Sequence, residues 1–225
     1  NDDIAEIDKF TDVYHVFDEY TRNKLYSWTK KPIIYKPYWC NPKLFYRVDK
    51  NKIDYIKNNN FSIPSEYFCI GSFVRDTEVA GNPKYEKGPD IFLDMVNIYR
   101  RNLDTKKYKD VMVILTGFRR QWLINKCIES DIPYRYYEMV NHEDLNSLYN
   151  MLNLYIVSSR VEGGPQAIYE ASLCKCPIIS TDVGNSNLIL SSNSIYDYTK
   201  IHAEDFVLPK IDVNQNYKRA IQYSI

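Results

Sequence analysis

The chain has 225 residues, enough for one large domain, or for one domain plus part of another, around a substantial core. Its 29 basic and 29 acidic residues cancel, which removes any global electrostatic case for nucleic acid or an anionic membrane. Hydrophobic content of 44% and charged content of 26% are ordinary for a globular protein, and neither a signal peptide nor a membrane-length apolar run is visible.

The first sixty residues have a character of their own. Residues 13–17 are a strand candidate, 21–28 a helix and 32–35 a second strand; Tyr38-Trp39-Cys40-Asn41-Pro42 reads as a turn or crossing linker. Residues 50–60 are charged and Asn-rich, without clear apolar periodicity. Three elements are too few for an independent nucleotide-binding unit. The expected organisation is therefore residues 1–45 as the tail of a preceding domain plus linker, and 46–225 as a second domain. A chain that begins at Asn1 rather than Met reads as a processed or excised segment.

From residue 67 onward, apolar runs alternate with helical patterns. Strands are expected at 67–73, 111–116, 134–140, 154–158 and 177–181. The unbroken Val111-Met112-Val113-Ile114-Leu115 suits a strand covered on both faces. Ile91, Met95 and Ile98, with Phe92, Val96 and Tyr99, make a helical stripe, and 122–128 a shorter helix. Asn141 looks like the N-cap of a helix carrying Leu145, Leu148, Tyr149 and Leu152. Repeated strand–helix units predict an α/β fold, a Rossmann-like parallel sheet with helices on both faces. Ligands then bind at the carboxyl ends of the strands, where Gly71, Gly117, Val140 and Gly163 fall.

The most informative segment runs from Ser158 to Glu170. Gly163, Gly164 and Pro165 stand at a strand-to-helix turn, where backbone N–H groups and the helix dipole favour an anion. Glu162 and Glu170 flank that turn; carboxylates hold phosphate badly but accept hydrogen bonds from hydroxyls, and the pairing suggests a sugar nucleotide. Further back, Arg75 and Lys87 flank one loop and can converge on a diphosphate. Taken singly, these cations read as solvated loop charges and the two Glu as a cap and a surface residue. Their combination at strand ends favours a site.

Five cysteines at scattered spacings read as small buried side chains, which implies a reducing compartment. Cys174-Lys175-Cys176 could be a metal or redox pair, but no second pair or nearby His completes it, so packing is expected. The 21 tyrosines fit a coding bias better than a tyrosine-lined carbohydrate site. Of the three histidines, His142 falls in the first turn of the helix that Asn141 caps and reads as a surface residue.

Over roughly residues 33–187 the chain resembles the donor-binding, C-terminal domain of retaining glycosyltransferases of GT-B fold, family 4. Glu162-Gly163-Gly164-Pro165 through Glu170 looks like their Glu-x7-Glu motif, Gly71 through Lys87-Gly88 their Gly-Arg…Lys-Gly loop, and Thr181-Asp182-Val183-Gly184 the strand and turn that follow. The resemblance implies that Arg75 and Lys87 neutralise a diphosphate leaving group, Glu162 holds donor-sugar hydroxyls, and Glu170 holds the ribose. It implies that Gly163 and Gly164 offer backbone donors beside Pro165, and that the backbone near Val140 reads the base with Leu145 packed beside it. Ser72 stands where the family has Arg, so Arg75 would substitute from three residues on; residues 76–85 form a longer loop than usual, and Asn185 replaces a turn Gly.

The implied function is transfer of a sugar, with retention, from a UDP-, GDP- or ADP-sugar to a glycan, lipid or protein acceptor in polysaccharide or glycan biosynthesis. No cofactor or metal is expected; the chain contains no Asp-x-Asp pair, and no nucleic-acid partner is expected. The expected location is cytoplasmic, with peripheral membrane association open. With most of the facing N-terminal domain outside the chain, turnover by this segment alone would be poor. The rivals are another GT-B enzyme, such as a sugar-nucleotide epimerase or a phosphorylase, a non-catalytic sugar-nucleotide-binding module, and a flavodoxin-like phosphate binder.

Overall fold

Alternating side chains of the strand at 110–116 set the architecture. In the computed structural model, which describes residues 2–75 and 77–224, Val111, Val113 and Leu115 enter one core, while Met112 and Ile114 enter another on the opposite face. A strand with two apolar faces must be covered twice, and helices do so here.

The amino-terminal elements are α1 (Asp2–Phe10), β1 (Tyr14–Val16), α2 (Glu19–Tyr26) and β2 (Ile33–Tyr35). β1 and β2 pair parallel in a small sheet of their own. The main unit follows with α3 (Lys50–Asn59), β3 (Tyr67–Ser72), the short hairpin β4 (Glu78–Val79) and β5 (Asn82–Pro83), and α4 (Pro89–Arg101). It continues through β6 (Asp110–Thr116), α5 (Gln121–Glu129), β7 (Tyr134–Tyr137), α6 (His142–Met151), β8 (Leu154–Val157) and α7 (Gln166–Leu173). β9 (Ile178–Thr181), α8 (Ser186–Ile189), β10 (Ile195–Tyr196) and α9 (Val213–Ile221) complete it.

The six-stranded sheet is parallel throughout, in the order β10-β9-β8-β3-β6-β7. α4 and α5 cover one face through Ile91, Met95, Leu123 and Cys127. α3, α6 and α7 cover the other through Ile53, Leu148, Tyr149 and Ile168. From β3 the chain winds outward to β6 and β7, then returns to the other side of β3 to form β8. The reversal opens a crevice at the carboxyl ends of β3 and β8, the position where doubly wound sheets take ligands.

The expected α/β fold is the one observed, with two corrections at its amino-terminal side. Residues 50–60, which lack an obvious periodicity, form α3. Asp49 caps it by accepting from the Asn51 N–H, and Ile53 and Ile56 fix it to the core. The amino-terminal segment also has a fourth element, α1, whose Asp8 carboxylate accepts hydrogen bonds from Tyr14 and Thr29. Strands expected to reach Phe73, Val140 and Ser158 stop earlier, and Phe73 and Val140 turn out of the sheet to rim the crevice. Asp76 lies outside the described residues; within the rest of the expected long loop, β4 and β5 make a hairpin.

Candidate functional site

Two loops far apart in sequence are clamped together at the switch point. Arg160, just after β8, grips Asp90 with both terminal nitrogens, at 2.9 and 2.6 Å, and also donates to the Tyr85 carbonyl at 2.6 Å. The backbone N–H groups of Arg160 and Val161 both donate to the Glu86 carbonyl. Burial alone would raise the Asp90 carboxyl, but Arg160's hydrogen bonds and charge hold it below the ordinary range. Gly88 makes the approach sterically feasible. It adopts φ of 60°, and a Cβ built there would stand 1.8 Å from the Ser158 carbonyl oxygen.

The clamp sets Lys87 against Glu162. Their Nζ and Oε1 are 2.7 Å apart, and Ser159 donates to the same oxygen at 3.1 Å. Both side chains border a cleft of about 620 Å³ that also contains Arg75, Glu170 and the loops after β3, β6 and β7. Glu170, on α7, points to the cleft floor, where the buried Tyr149 hydroxyl donates to its Oε2 at 2.9 Å. Burial pushes the Glu170 carboxyl up to about 7, against the lowering effect of the Tyr149 bond. Burial likewise raises the Tyr149 phenol well above its ordinary value.

Nine of the residues singled out in the sequence line this one cleft: Arg75, Lys87, Gly117, Val140, Leu145, Glu162, Gly164, Pro165 and Glu170. Gly163 is exposed and Gly71 is buried, and neither lines it. Gly71 is a packing residue: a Cβ there would meet the Leu152 side chain at 2.2 Å, so its missing side chain admits α6 rather than a ligand. His142 lies edge-on to Phe45, and His202 pairs with Asp94 at 3.1 Å; neither lines the cleft.

The structure adds residues that the sequence did not single out. Arg120 is almost fully buried beneath the loop after β3, donating to the Val74 carbonyl at 2.7 Å and to the Ser72 hydroxyl at 2.9 Å. It shapes the loop carrying Arg75, and no local pattern distinguishes it from its exposed neighbour Arg119. Tyr155 holds the same loop from the other side, accepting the Phe73 N–H at 3.1 Å. Lys84, Phe118 and Glu138 also border the cleft. All five cysteines are buried and unbridged, as the packing reading expects. Among the described residues, no three His, Cys, Asp or Glu side chains group as metal ligands, and no helix is long and apolar enough to cross a membrane.

With this geometry established, comparison with known proteins is informative. The sequence model of the family described as glycosyl transferases group 1 matches residues 79–215. Among solved structures, sucrose-phosphate synthase from Thermosynechococcus elongatus superimposes with a TM-score of 0.69 at 17% identity, covering 95% of this chain and 54% of that one. Anabaena HepE, in a complex with UDP-glucose, gives a TM-score of 0.70 at 14% identity, covering 96% and 60%. The C-terminal domain of LpcC, a glycosyl transferase group 1 family protein from Francisella tularensis, gives 0.56 at 20% identity, covering 80% and 92%. The chain thus spans 54% and 60% of the first two. Among curated protein sequences, none matches it.

Proposed function

The chain belongs to the glycosyl transferases group 1 family, and from that premise we propose that it is the donor-binding half of a retaining, metal-independent glycosyltransferase of the family 4 type. Residues 46–225 form the donor domain and residues 1–45 belong to the acceptor side and linker. The observation that carries the reading is the composition of the cleft at the switch point, where Arg75 and Lys87 stand together with Glu162 and Glu170.

Loss of a nucleoside diphosphate from the donor develops negative charge, and cations preorganised at that position lower its cost. Arg75 and Lys87 supply this charge in place of a metal. Before the donor arrives, Lys87 is neutralised by Glu162. Donor phosphate then shares Lys87, and the Glu162 carboxylate turns to the sugar hydroxyls. Glu170 has one oxygen engaged by Tyr149, which leaves the other for the ribose. The first turn of α7 offers further N–H groups to phosphate. The loop around Val140 faces the base, with Leu145 beside it.

UDP-glucose is the first donor to test, because HepE was solved with it. Calorimetry with UDP, GDP and ADP, alone and as sugar conjugates, should identify one base. Glu170→Ala should then weaken nucleotide binding about tenfold, whereas Glu162→Ala should chiefly reduce discrimination among donor sugars. If neither change alters affinity, the site assignment fails. Donor hydrolysis or transfer by the isolated chain should be slow and unaffected by chelators.

A further inference from the structure

We propose that the protein has a second anion site, at the end of the sheet opposite the donor cleft, that takes a ligand bearing more than one phosphate group. A cavity of about 750 Å³ lies where β3, β8 and β9 begin, bordered by Tyr67, Asn153 and Pro177. Five cations line it, Arg47, Lys50, Lys57, Lys107 and Lys175, against a single carboxylate, Asp54. Among the described residues, none of the five forms an ion pair.

A run of lysines along one helix is usually a solvated face, but these cations come from the linker, from α3 and from the loops after α4 and α7. In a chain of zero net charge, this convergence is a local excess that the composition does not dictate. The fold also positions three of the cations. Arg47 sits between two residues anchored on α6: the Tyr46 N–H donates to Asn146 Oδ1 at 3.0 Å, and the Val48 N–H donates to Asn150 Oδ1 at 2.9 Å. Lys175 has a left-handed backbone, φ 53°, and its ammonium lies 4.6 Å from the centre of the Tyr217 ring. Lys107 lies over Tyr108, whose hydroxyl accepts from Asn153 at 3.3 Å. Like charges gathered around one cavity repel one another, and a multivalent anion relieves that repulsion while accepting several charge-assisted hydrogen bonds. Ammonium and guanidinium groups match phosphate oxygens, and the volume admits more than one phosphate.

The test uses the full chain and inorganic tripolyphosphate, titrated by calorimetry at low salt. Binding is expected to weaken about tenfold in Arg47→Ser/Lys57→Ser, to weaken as salt rises, and to persist in Lys30→Ser/Lys218→Ser, which has the same net charge. It should also persist in Lys87→Ala, which removes a cation from the donor cleft; nucleotide binding in Arg47→Ser/Lys57→Ser should be unchanged, so the two sites fail or hold separately. Co-sedimentation with vesicles containing phosphatidic acid distinguishes the source of the phosphate. Recruitment lost in Arg47→Ser/Lys57→Ser assigns it to lipid headgroups, and tripolyphosphate binding without recruitment assigns it to a free oligophosphate; both support the site. Absence of both, equal weakening in the two double variants, or loss in Lys87→Ala alone overturns it.

Discussion

Glu170 shows how burial assigns a carboxylate its work. The same desolvation that raises its carboxyl from 4.5 to about 7 makes its ionised form a strong hydroxyl acceptor once a ligand arrives. The proposed hold on the ribose requires the Glu170 carboxylate, so nucleotide affinity should increase as pH rises from about 6 to 8, and this dependence should vanish in Glu170→Gln. Calorimetry across that range measures it. Stability should show the opposite trend. The folded chain keeps the Glu170 proton to higher pH than the unfolded chain, so this group favours folding fully below about 4.5, and that contribution is lost as pH rises to about 7. Urea unfolding at a series of pH values should show Glu170→Gln losing this downward slope.

At the scale of elements, the site depends on loops that fit only one way. The turn into α4 must pass directly under the Ser158 carbonyl, which only the left-handed, side-chain-free Gly88 permits. Gly88→Ala combines backbone strain with overpacking, and should cost roughly 2–4 kcal/mol in urea unfolding. The Arg160–Asp90 pair is partly exposed and therefore weaker. Asp90→Ala should cost roughly 1 kcal/mol of stability. Its larger effect should be on donor binding, since it frees the Lys87 loop from Glu162. A variant that loses stability but binds nucleotide normally would show that the clamp does not position the cleft.

For the whole molecule, the carboxyl-terminal helix and the segment after β2 meet behind α7. The α9 helix packs on α7 and α8, with Asn216 accepting the Ser191 N–H at 2.8 Å. Just past it, the Tyr223 carbonyl accepts the Cys40 N–H at 3.1 Å, tying the helix to the segment after β2. On the cleft side, Tyr38 presses against Gly164, so the same segment also supports the glycine turn before α7. Deleting residues 212–225 should therefore loosen α7 as well as lower the melting temperature, and nucleotide affinity should fall with it because Glu170 rides on that helix. Differential scanning calorimetry and a nucleotide titration on the same sample test the coupling.

Local chemistry determined much of this in advance. Unbroken apolar runs such as Val111–Leu115 and the three- and four-residue stripe of α4 specify strand and helix without reference to the rest of the chain, because each must bury its own apolar surface. Motif residues at strand ends were legible for the same reason: a parallel sheet fixes where its loops point. What stayed hidden depends on distance in space. Whether a glycine approaches a ligand or another helix is decided by what lies opposite, and for Gly71 that is Leu152. Arg120, Tyr149 and the Arg160 clamp owe their roles to partners 21 to 75 residues away. The sequence by itself determined the principal strands and helices of the sheet unit and the chemical types in the cleft. Only the tertiary structure decided which charges meet, because ion pairing and desolvation act between side chains that the sheet order brings together.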